Sequence, residues 1–453
     1  MVLLKEFAKS HAKEIKGNID NIQATGIEFD SQVVSNGKIF AALKGKCTDG
    51  HQYLKQAQEN GACLAIVNQI CDVDIPQICV ENTYDALYHL AKLQRENWKN
   101  KTVIALTGSV GKTTCKEMLK SLLQRLGKTH ATYGNYNNKL GLSYTIINTP
   151  DDAEYVVLEV GISEVGEMDV LALLARPDIA FVTNVHPCHL KGLGTVDNIA
   201  IEKSKLYRAL EPSGIAIMNN DDAAYIHFAS NSQHCQQLNL FDYENTLHRK
   251  SVSINELGCA GFTAEVAGKK MKVQLNVLGK HQIYNAYACA FIASKIGLSH
   301  CEIENALQGV KAPRGRMKQY IEKKEKTLLI DDSYNASPES MQAAIECLSA
   351  IRKETKCLIM ADMEELGVES DKMHRQVGVL ANEKKIDYLL TVGKKSRLAL
   401  DQFSGIGKSF DKKQDLMEYL YQIMKKDMVV LLKGSRASRL DDCVKLLVGV
   451  DYV

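Results

Sequence analysis

Thr102-Val-Ile-Ala-Leu-Thr107-Gly108-Ser109-Val110-Gly111-Lys112-Thr113-Thr114 is the stretch on which the fold turns. Its first residues are apolar and read as a buried strand, and two glycines then break the pattern. From Lys112 a helix is expected to run to Leu126. It carries Cys115, Met118, Leu119, Leu122, Leu123 and Leu126 on one face, with Gly127 as its stop. Strand, glycine turn and helix, in that order, are what a phosphate loop requires. Glycines let backbone N–H groups turn inward, the helix N-terminus adds positive potential, a lysine meets the β- and γ-phosphates, and a threonine hydroxyl ligates magnesium. The loop departs from the pattern GxxxxGK[ST]: Leu106 stands where its first glycine belongs, and Gly108 comes only three residues before Gly111. Thr107, Gly108, Ser109, Val110, Gly111, Lys112, Thr113 and Thr114 are therefore expected to bind a nucleoside triphosphate.

Outward from this loop, strand-like and helix-like segments alternate almost from end to end, which predicts an α/β protein with mainly parallel sheets. The segments group into blocks at about 1–100, 101–312 and 313–453. In the first, Met1–Lys16 reads as a short amphipathic helix. Ile39-Phe-Ala-Ala-Leu, Cys63-Leu-Ala-Ile-Val and Ile78-Cys-Val read as strands, and a helix runs from Thr83 to about Trp98. The second adds strands at Tyr155–Val160 and Ile179–Val185, each ending in polar residues, where open α/β sheets place their chemistry. The third looks like a small Rossmann-like domain. Its strands are expected at Thr327–Asp331, Cys357–Met360, Asp387–Val392 and Met428–Leu432, and one helix opens Ser337-Pro338-Glu339.

Composition narrows the function classes. At 453 residues the chain is too long for one ordinary core. The net charge of +2, with 56 basic residues scattered rather than striped, gives nucleic acid no footing. No apolar run approaches the roughly 18–20 residues that span a bilayer, and the N-terminus does not read as a secretion signal. The 13 cysteines are dispersed without a CxxC pair, which predicts buried thiols in a reducing cytoplasm rather than disulfides or zinc.

Other polar residues draw attention by position. Glu159 ends an otherwise apolar strand, where it either holds a hydrated Mg²⁺ or pairs with a nearby lysine. His186 and His189 both follow the end of the next strand, where a lone histidine is more often a packed or surface residue than a ligand. Lys203 and Lys205 fit the solvated face of a helix.

The motif series as a whole resembles the Mur ligase family. It begins with the shortened loop, Tyr133-Gly-Asn-Tyr-Asn137-Asn138-Lys-Leu-Gly141 and Leu158-Glu-Val-Gly. It continues through Thr183-Asn-Val-x-x-x-His189-Leu-x-Gly-x-Gly194, Gly279-Lys-His-x-x-x-Asn285-Ala and Pro313-Arg-Gly-Arg316. Asp331-Asp332-Ser-Tyr-Asn-Ala-Ser-Pro338 and Leu432-Lys-Gly-Ser-Arg436 close it. Within the family, the Asp-Asp-Ser-Tyr-Asn segment, Ala361-Asp-Met-x-Glu365-Leu-Gly and the later His374 resemble the branch that completes the stem peptide. So do Phe29-Asp-Ser31, Gly37–Gly45 and Asp49-Gly-His51, while Asp-Asn-Pro-Arg, the mark of the preceding branch, is absent.

The resemblance implies a three-domain α/β fold: a small uridine-nucleotide-binding domain, a central ATPase-type parallel sheet and a C-terminal Rossmann-like domain. It implies an ATP-dependent carboxylate–amine ligase that joins D-alanyl-D-alanine to UDP-N-acetylmuramoyl-tripeptide through an acyl phosphate, a cytoplasmic and monomeric enzyme of peptidoglycan precursor synthesis. Thr113, Glu159, His189 and a carbamylated Lys203 would hold two Mg²⁺ ions, with Lys112, Lys203, Glu159 and His189 as the catalytic set. Asn285, Arg316 and Asp332 would contact ATP; Ser31, Lys44, Gly45, Asp49, Gly50, His51, Asn137 and Asn138 would contact substrate. Two positions depart from the family: Ile162-Ser163 follows Gly161, and position 32 is Gln. Competing readings are a folylpolyglutamate synthase, which lacks the first block, a non-catalytic ATP-binding descendant, and a phosphate-loop motor, which wants the full GxxxxGK[ST].

Overall fold

In a computed structural model describing residues 2–240, 252–266 and 268–449, four sheets organise the chain. The first runs Glu14–Lys16, Gln77–Cys79, Leu64–Val67, Lys38–Ala41, Gly26–Glu28, parallel except for its first strand. The second is parallel throughout: Gln236–Leu240, Ile215–Asn219, Ile179–Val182, Thr102–Thr107, Tyr155–Glu159, Thr129–Ala131. The fourth orders Lys318–Ile321, Leu328–Asp332, Met428–Lys433, Thr355–Ala361, Tyr388–Val392, Ile406–Phe410, again parallel but for its first strand. Central strands of both larger sheets are buried along their length, as sheets covered on both faces must be.

Three expectations need correction. The helix read over Met1–Lys16 ends at His11. The chain then turns extended at Ala12, and Glu14–Lys16 pairs along the edge strand Gln77–Cys79, because that edge offers unpaired backbone groups. The helix from Lys112 closes at Leu123 rather than Leu126. Gly127 is not its left-handed stop: the helix ends at Gln124 in right-handed geometry, and the N–H of Gly127 bonds the Leu123 carbonyl at 3.1 Å. The third sheet, an antiparallel ribbon of Ser253–Ile254, Cys259–Val266 and Lys269–Leu278, has no counterpart in the reading above. Its signal is nevertheless present, since Lys269–Leu278 alternates exposed and buried along most of its length.

Elsewhere local chemistry explains the elements. Ser337 caps the helix Pro338–Ala350 through a reciprocal bond with Ser340, with proline pre-set in its first turn. All 13 cysteines are free, and seven of them are buried.

Apolar packing does not respect the block boundaries. One cluster runs from Val2 through the first sheet and onto one face of the central sheet, ending at Phe228. The helix Thr83–Glu96 packs against Lys139–Ile147 inside it. The other face of the central sheet packs with the antiparallel ribbon and the helix His281–Ile296. The last sheet has its own clusters, which reach the ribbon through Cys259 and Leu278 beside Ile351.

Candidate active site

The strand Thr102–Thr107 lies between Ile179–Val182 and Tyr155–Glu159, and the chain leaves it in both directions. This is a topological switch point, where a crevice opens at the carboxyl ends of the strands. The phosphate loop fills it. Gly108 has φ 150°, and a Cβ there would fall 1.9 Å from the Thr183 Oγ1. Gly111 has φ 90°, and its Cβ would meet the Asn285 side chain at 2.8 Å. Both positions need glycine for backbone angle and for space.

The loop is clamped to the end of the neighbouring strand. Asn184 Oδ1 accepts from the Val110 N–H at 2.9 Å, and Thr183 Oγ1 and Asn184 Nδ2 donate to the Val110 carbonyl at 2.7 and 3.0 Å. Ser109 Oγ donates to the His186 carbonyl at 2.9 Å. Lys112 Nζ folds over the loop, donating to the carbonyls of Gly108 at 2.6 Å and Ser109 at 3.3 Å. Thr107 is fully buried beneath the loop, and Thr114 lines the crevice mouth.

Beside the loop a second group converges. Glu159 is fully buried at its strand end, where its Oε1 accepts from Thr113 Oγ1 at 3.2 Å and Asn137 Nδ2 at 2.8 Å. Its Oε2 is buried with no hydrogen-bond partner. A buried carboxylate with one oxygen orphaned and the other on a threonine hydroxyl, beside a phosphate loop, fits a hard divalent cation, which takes oxygen ligands. Among the described residues no three His, Cys, Asp or Glu side chains form a metal cluster by themselves, so remaining ligands would come from other donors.

Lys203 lies 1% exposed on the helix Val196–Ser204, with no carboxylate or carbonyl on its ammonium among the described residues. Burial, aided by the like charge of Lys112, brings it down to about 7. Lys205, the alternative, is instead paired with Glu202 at 2.6 Å and Asp169 at 2.8 Å. His189 borders the crevice and its Nδ1 contacts Glu365 of the last sheet's loops. His186 also borders it, held through its backbone to Ser109.

The far wall comes from the last sheet. Arg316 stacks on the Tyr334 ring at 4.2 Å. Asp332 accepts from Lys433 Nζ at 2.6 Å and from the Met317 N–H at 3.2 Å. Burial raises the Asp332 carboxyl above its ordinary value, an effect that Lys433 opposes. Burial likewise lowers Lys112. Between the walls lies a cavity of about 750 Å³, which Lys112, Asn138, Glu159, His189, Asn285, Arg316 and Asp332 all line. The volume suits a nucleotide with part of a second substrate.

The first-block residues lie apart from this cavity. Ser31 is buried, donating to Gln56 Oε1 at 2.6 Å. Lys44 and Asp49 bridge the two limbs of a loop in which the Gly45 N–H bonds the Thr48 carbonyl at 2.8 Å. Gly50 is required there, since a Cβ would meet the Leu43 nitrogen at 2.7 Å. His51 Nδ1 donates to Asp49 at 2.6 Å, a bond that holds the Asp49 carboxyl below its ordinary value, while its Nε2 accepts from the Asn68 N–H at 3.2 Å. Asn137 touches Glu159, and Asn138 caps the helix Lys139–Ile147 through the Gly141 N–H at 2.9 Å. Sequence reasoning passed over Asn184, Tyr334 and Lys433, although each stood inside a quoted motif. Contact between neighbouring strands and loops gives them their role, and sequence distance hides it.

Comparison with known proteins agrees along the chain. Family models described as the Mur ligase family catalytic domain, the Mur ligase middle domain and the Mur ligase glutamate ligase domain match residues 23–94, 106–293 and 315–436. The chain is 34% identical over 431 residues to the UDP-N-acetylmuramoyl-tripeptide–D-alanyl-D-alanine ligase of Escherichia coli strain K12, covering 94% of each. It is 31% identical over 468 residues to the same ligase of Bacillus subtilis strain 168, covering 98% of this chain and 99% of that one. A crystal structure of MurF from Acinetobacter baumannii superposes with TM-score 0.85 at 31% identity, covering 97% of both chains. One of the Thermotoga maritima MurF ligase in complex with ADP superposes with TM-score 0.80 at 29% identity, over 95% of this chain and 98% of that chain.

Proposed function

The chain belongs to the Mur ligase family, and from that premise we propose how its crevice works as an ATP-dependent ligase. It joins D-alanyl-D-alanine to the terminal carboxylate of UDP-N-acetylmuramoyl-tripeptide, a step of peptidoglycan precursor synthesis, as its curated relatives are named for doing. The observation that carries the mechanism is the pairing of the phosphate loop with the buried, half-satisfied carboxylate of Glu159.

A carboxylate does not acylate an amine at neutral pH, because oxide would have to leave. Transfer of the γ-phosphoryl group of ATP to the carboxylate gives an acyl phosphate. The unprotonated amine attacks its carbonyl, and phosphate leaves with the electron pair. Lys112, the loop N–H groups and Arg316 would neutralise charge on the moving phosphoryl group, chiefly by position and electrostatics. Asn285 would face the nucleotide, and Asp332, tied to Lys433, would offer its carboxylate to it. Thr113, Glu159, His189 and Lys203 would hold two Mg²⁺, which supply Lewis-acid neutralisation of phosphate charge when bound. An amine brought down to about 7 is substantially unprotonated near neutrality, the form that reacts with CO₂. Carbamylation would turn Lys203 into an anionic oxygen donor. Ser31 and the Lys44–His51 loop would hold the uridine diphosphate, while Asn137 and Asn138 would meet the peptide end near Glu159.

The domains are taken as 1–100, 101–312 and 313–453. The protein is taken to act as a monomer in the cytoplasm, where ATP is supplied. Among the described residues no helix is long and apolar enough to cross a membrane. Phosphate release from ATP should require both UDP-N-acetylmuramoyl-tripeptide and D-alanyl-D-alanine. Release with neither, or only with a folate, would overturn the assignment. A Lys203→Ala variant should regain part of its lost turnover with added short carboxylates, and full activity without them would remove the carbamate.

A further inference from the structure

Glu365 belongs to a motif, Ala361-Asp-Met-x-Glu365-Leu-Gly, that the mechanism above leaves without a role. Its loop lies at the carboxyl end of the strand Thr355–Ala361 and is pinned on both sides. Asp362 accepts from the backbone N–H groups of Lys394, Lys395 and Ser396 at 3.1, 3.0 and 2.7 Å. The Met363 N–H donates to His374 Nε2 at 3.0 Å, and fully buried His374 donates from Nδ1 to the Ser370 carbonyl at 2.7 Å. The Glu364 N–H donates to Ser435 Oγ at 2.8 Å. Met363 and Leu366 are buried on either side.

Glu365 itself is the exception. It is held at φ 62°, a left-handed angle unusual for a residue with a side chain, and its carboxylate reaches across to His189 Nδ1. His189 is left-handed too, at φ 51°. Two non-glycine residues in that region, meeting from two sheets, are over-determined by their surroundings in the way functional positions are. An ionised carboxylate only accepts, so His189 Nδ1 carries the proton and the lone pair of the neutral ring is left on Nε2. Histidines that ligate metals are oriented in this way, by a carboxylate on the other ring nitrogen.

We propose that Glu365 is the positioning residue of His189: a carboxylate from the last sheet sets the ring's tautomer and direction and so makes cation binding at the phosphate loop depend on the placement of the C-terminal region. The inference rests on the metal set proposed above. It differs from an ordinary interdomain ion pair in what it moves. The pair Arg352–Glu256 also joins the two regions, yet both partners are strongly exposed and neither borders the cavity.

The test titrates Mn²⁺ into the ADP-saturated full chain and follows free Mn²⁺ by electron paramagnetic resonance. Wild type, His189→Ala, Glu365→Ala and Glu365→Gln are compared, with ADP affinity in chelator as the folding control. Glu365→Ala should weaken Mn²⁺ binding roughly 10–100-fold with the chelator control unchanged. Glu365→Gln, whose amide oxygen still accepts from Nδ1, should recover most of it. Unchanged or tighter binding in Glu365→Ala, with weakening in His189→Ala, overturns the positioning role and leaves the metal set standing. Unchanged binding in His189→Ala overturns that set, and this inference with it.

Discussion

The central sheet meets its two neighbours in opposite ways. Against the first sheet the contact is a continuous apolar core, with Leu90 and Ala91 on one helix and Leu142 and Ile146 on the other all essentially buried. Polar groups stitch its rim. Arg95 Nε donates to the Ala175 carbonyl at 2.8 Å, Asn148 bonds both backbone groups of Ile27, and Tyr144 donates to Glu28 at 2.8 Å. Against the last sheet the contact is a small apolar patch at Cys259, Leu278 and Ile351, a few polar bonds, and a cavity of about 750 Å³. A core cut across by water costs its full hydrophobic free energy, so the first junction is rigid. A polar cleft bridged by replaceable contacts opens at less cost, which makes the second the easier junction to open.

Lys112→Ala would break the comparison most directly if it behaved as a structural change. It should lower turnover by at least about 10³-fold, roughly 4 kcal/mol of barrier, while the melting temperature stays put. Leu142→Ala is its converse at the other junction. It should cost about 2–5 kcal/mol of stability in denaturant melts and leave turnover per folded molecule near the parent's. A large loss of turnover there would mean that the first junction also works during catalysis.

Lys203 sharpens the contrast through pH. In the folded chain it is held at about 7, below the ordinary 10.5 it regains on unfolding. Between those values the unfolded chain binds more protons, so this group's contribution to stability is poorest below about pH 7 and improves with rising pH. In CO₂-depleted buffer Lys203→Met should therefore be more stable than the parent near pH 6, on the order of a few kcal/mol, and the gap should narrow toward pH 9. A constant gap would contradict the burial seen here. Smallest of all, Arg352→Ala removes an exposed pair across the second junction and should shift stability by no more than about 0.5 kcal/mol. A larger loss would make that junction stiffer than its geometry implies.

How much of this was legible depends on range. The loop, its strand and its helix were readable because they are neighbours in sequence and their chemistry is local. Ser337-Pro338 announced a helix start for the same reason, and the structure puts the cap there. The helix at the N-terminus was over-read because its end is decided by pairing with Gln77–Cys79, some sixty residues away. The ribbon at Lys269–Leu278 was missed although its alternation was plain, since an α/β rhythm on both sides set the expectation. At the site, Glu159 could be picked out as a polar residue at a strand end, Lys112 from the loop motif, and Asp332 through the family resemblance. The contact of Asn137 with Glu159, the clamp of Asn184 on the loop and the bond of Lys433 to Asp332 could not, because each partner acts from a different strand or loop.

By itself, then, the sequence determined that a triphosphate loop opens an α/β sheet, and its motif order determined the family. Those are matters of short-range geometry and of residue type at fixed spacing. Only the tertiary structure decided that, among the described residues, Glu159 keeps one buried oxygen without a partner and Lys203, unlike Lys205, stands unpaired, and that Glu365 reaches His189 from another sheet. Burial and contact across distant segments create those properties, and neither exists until the chain has folded.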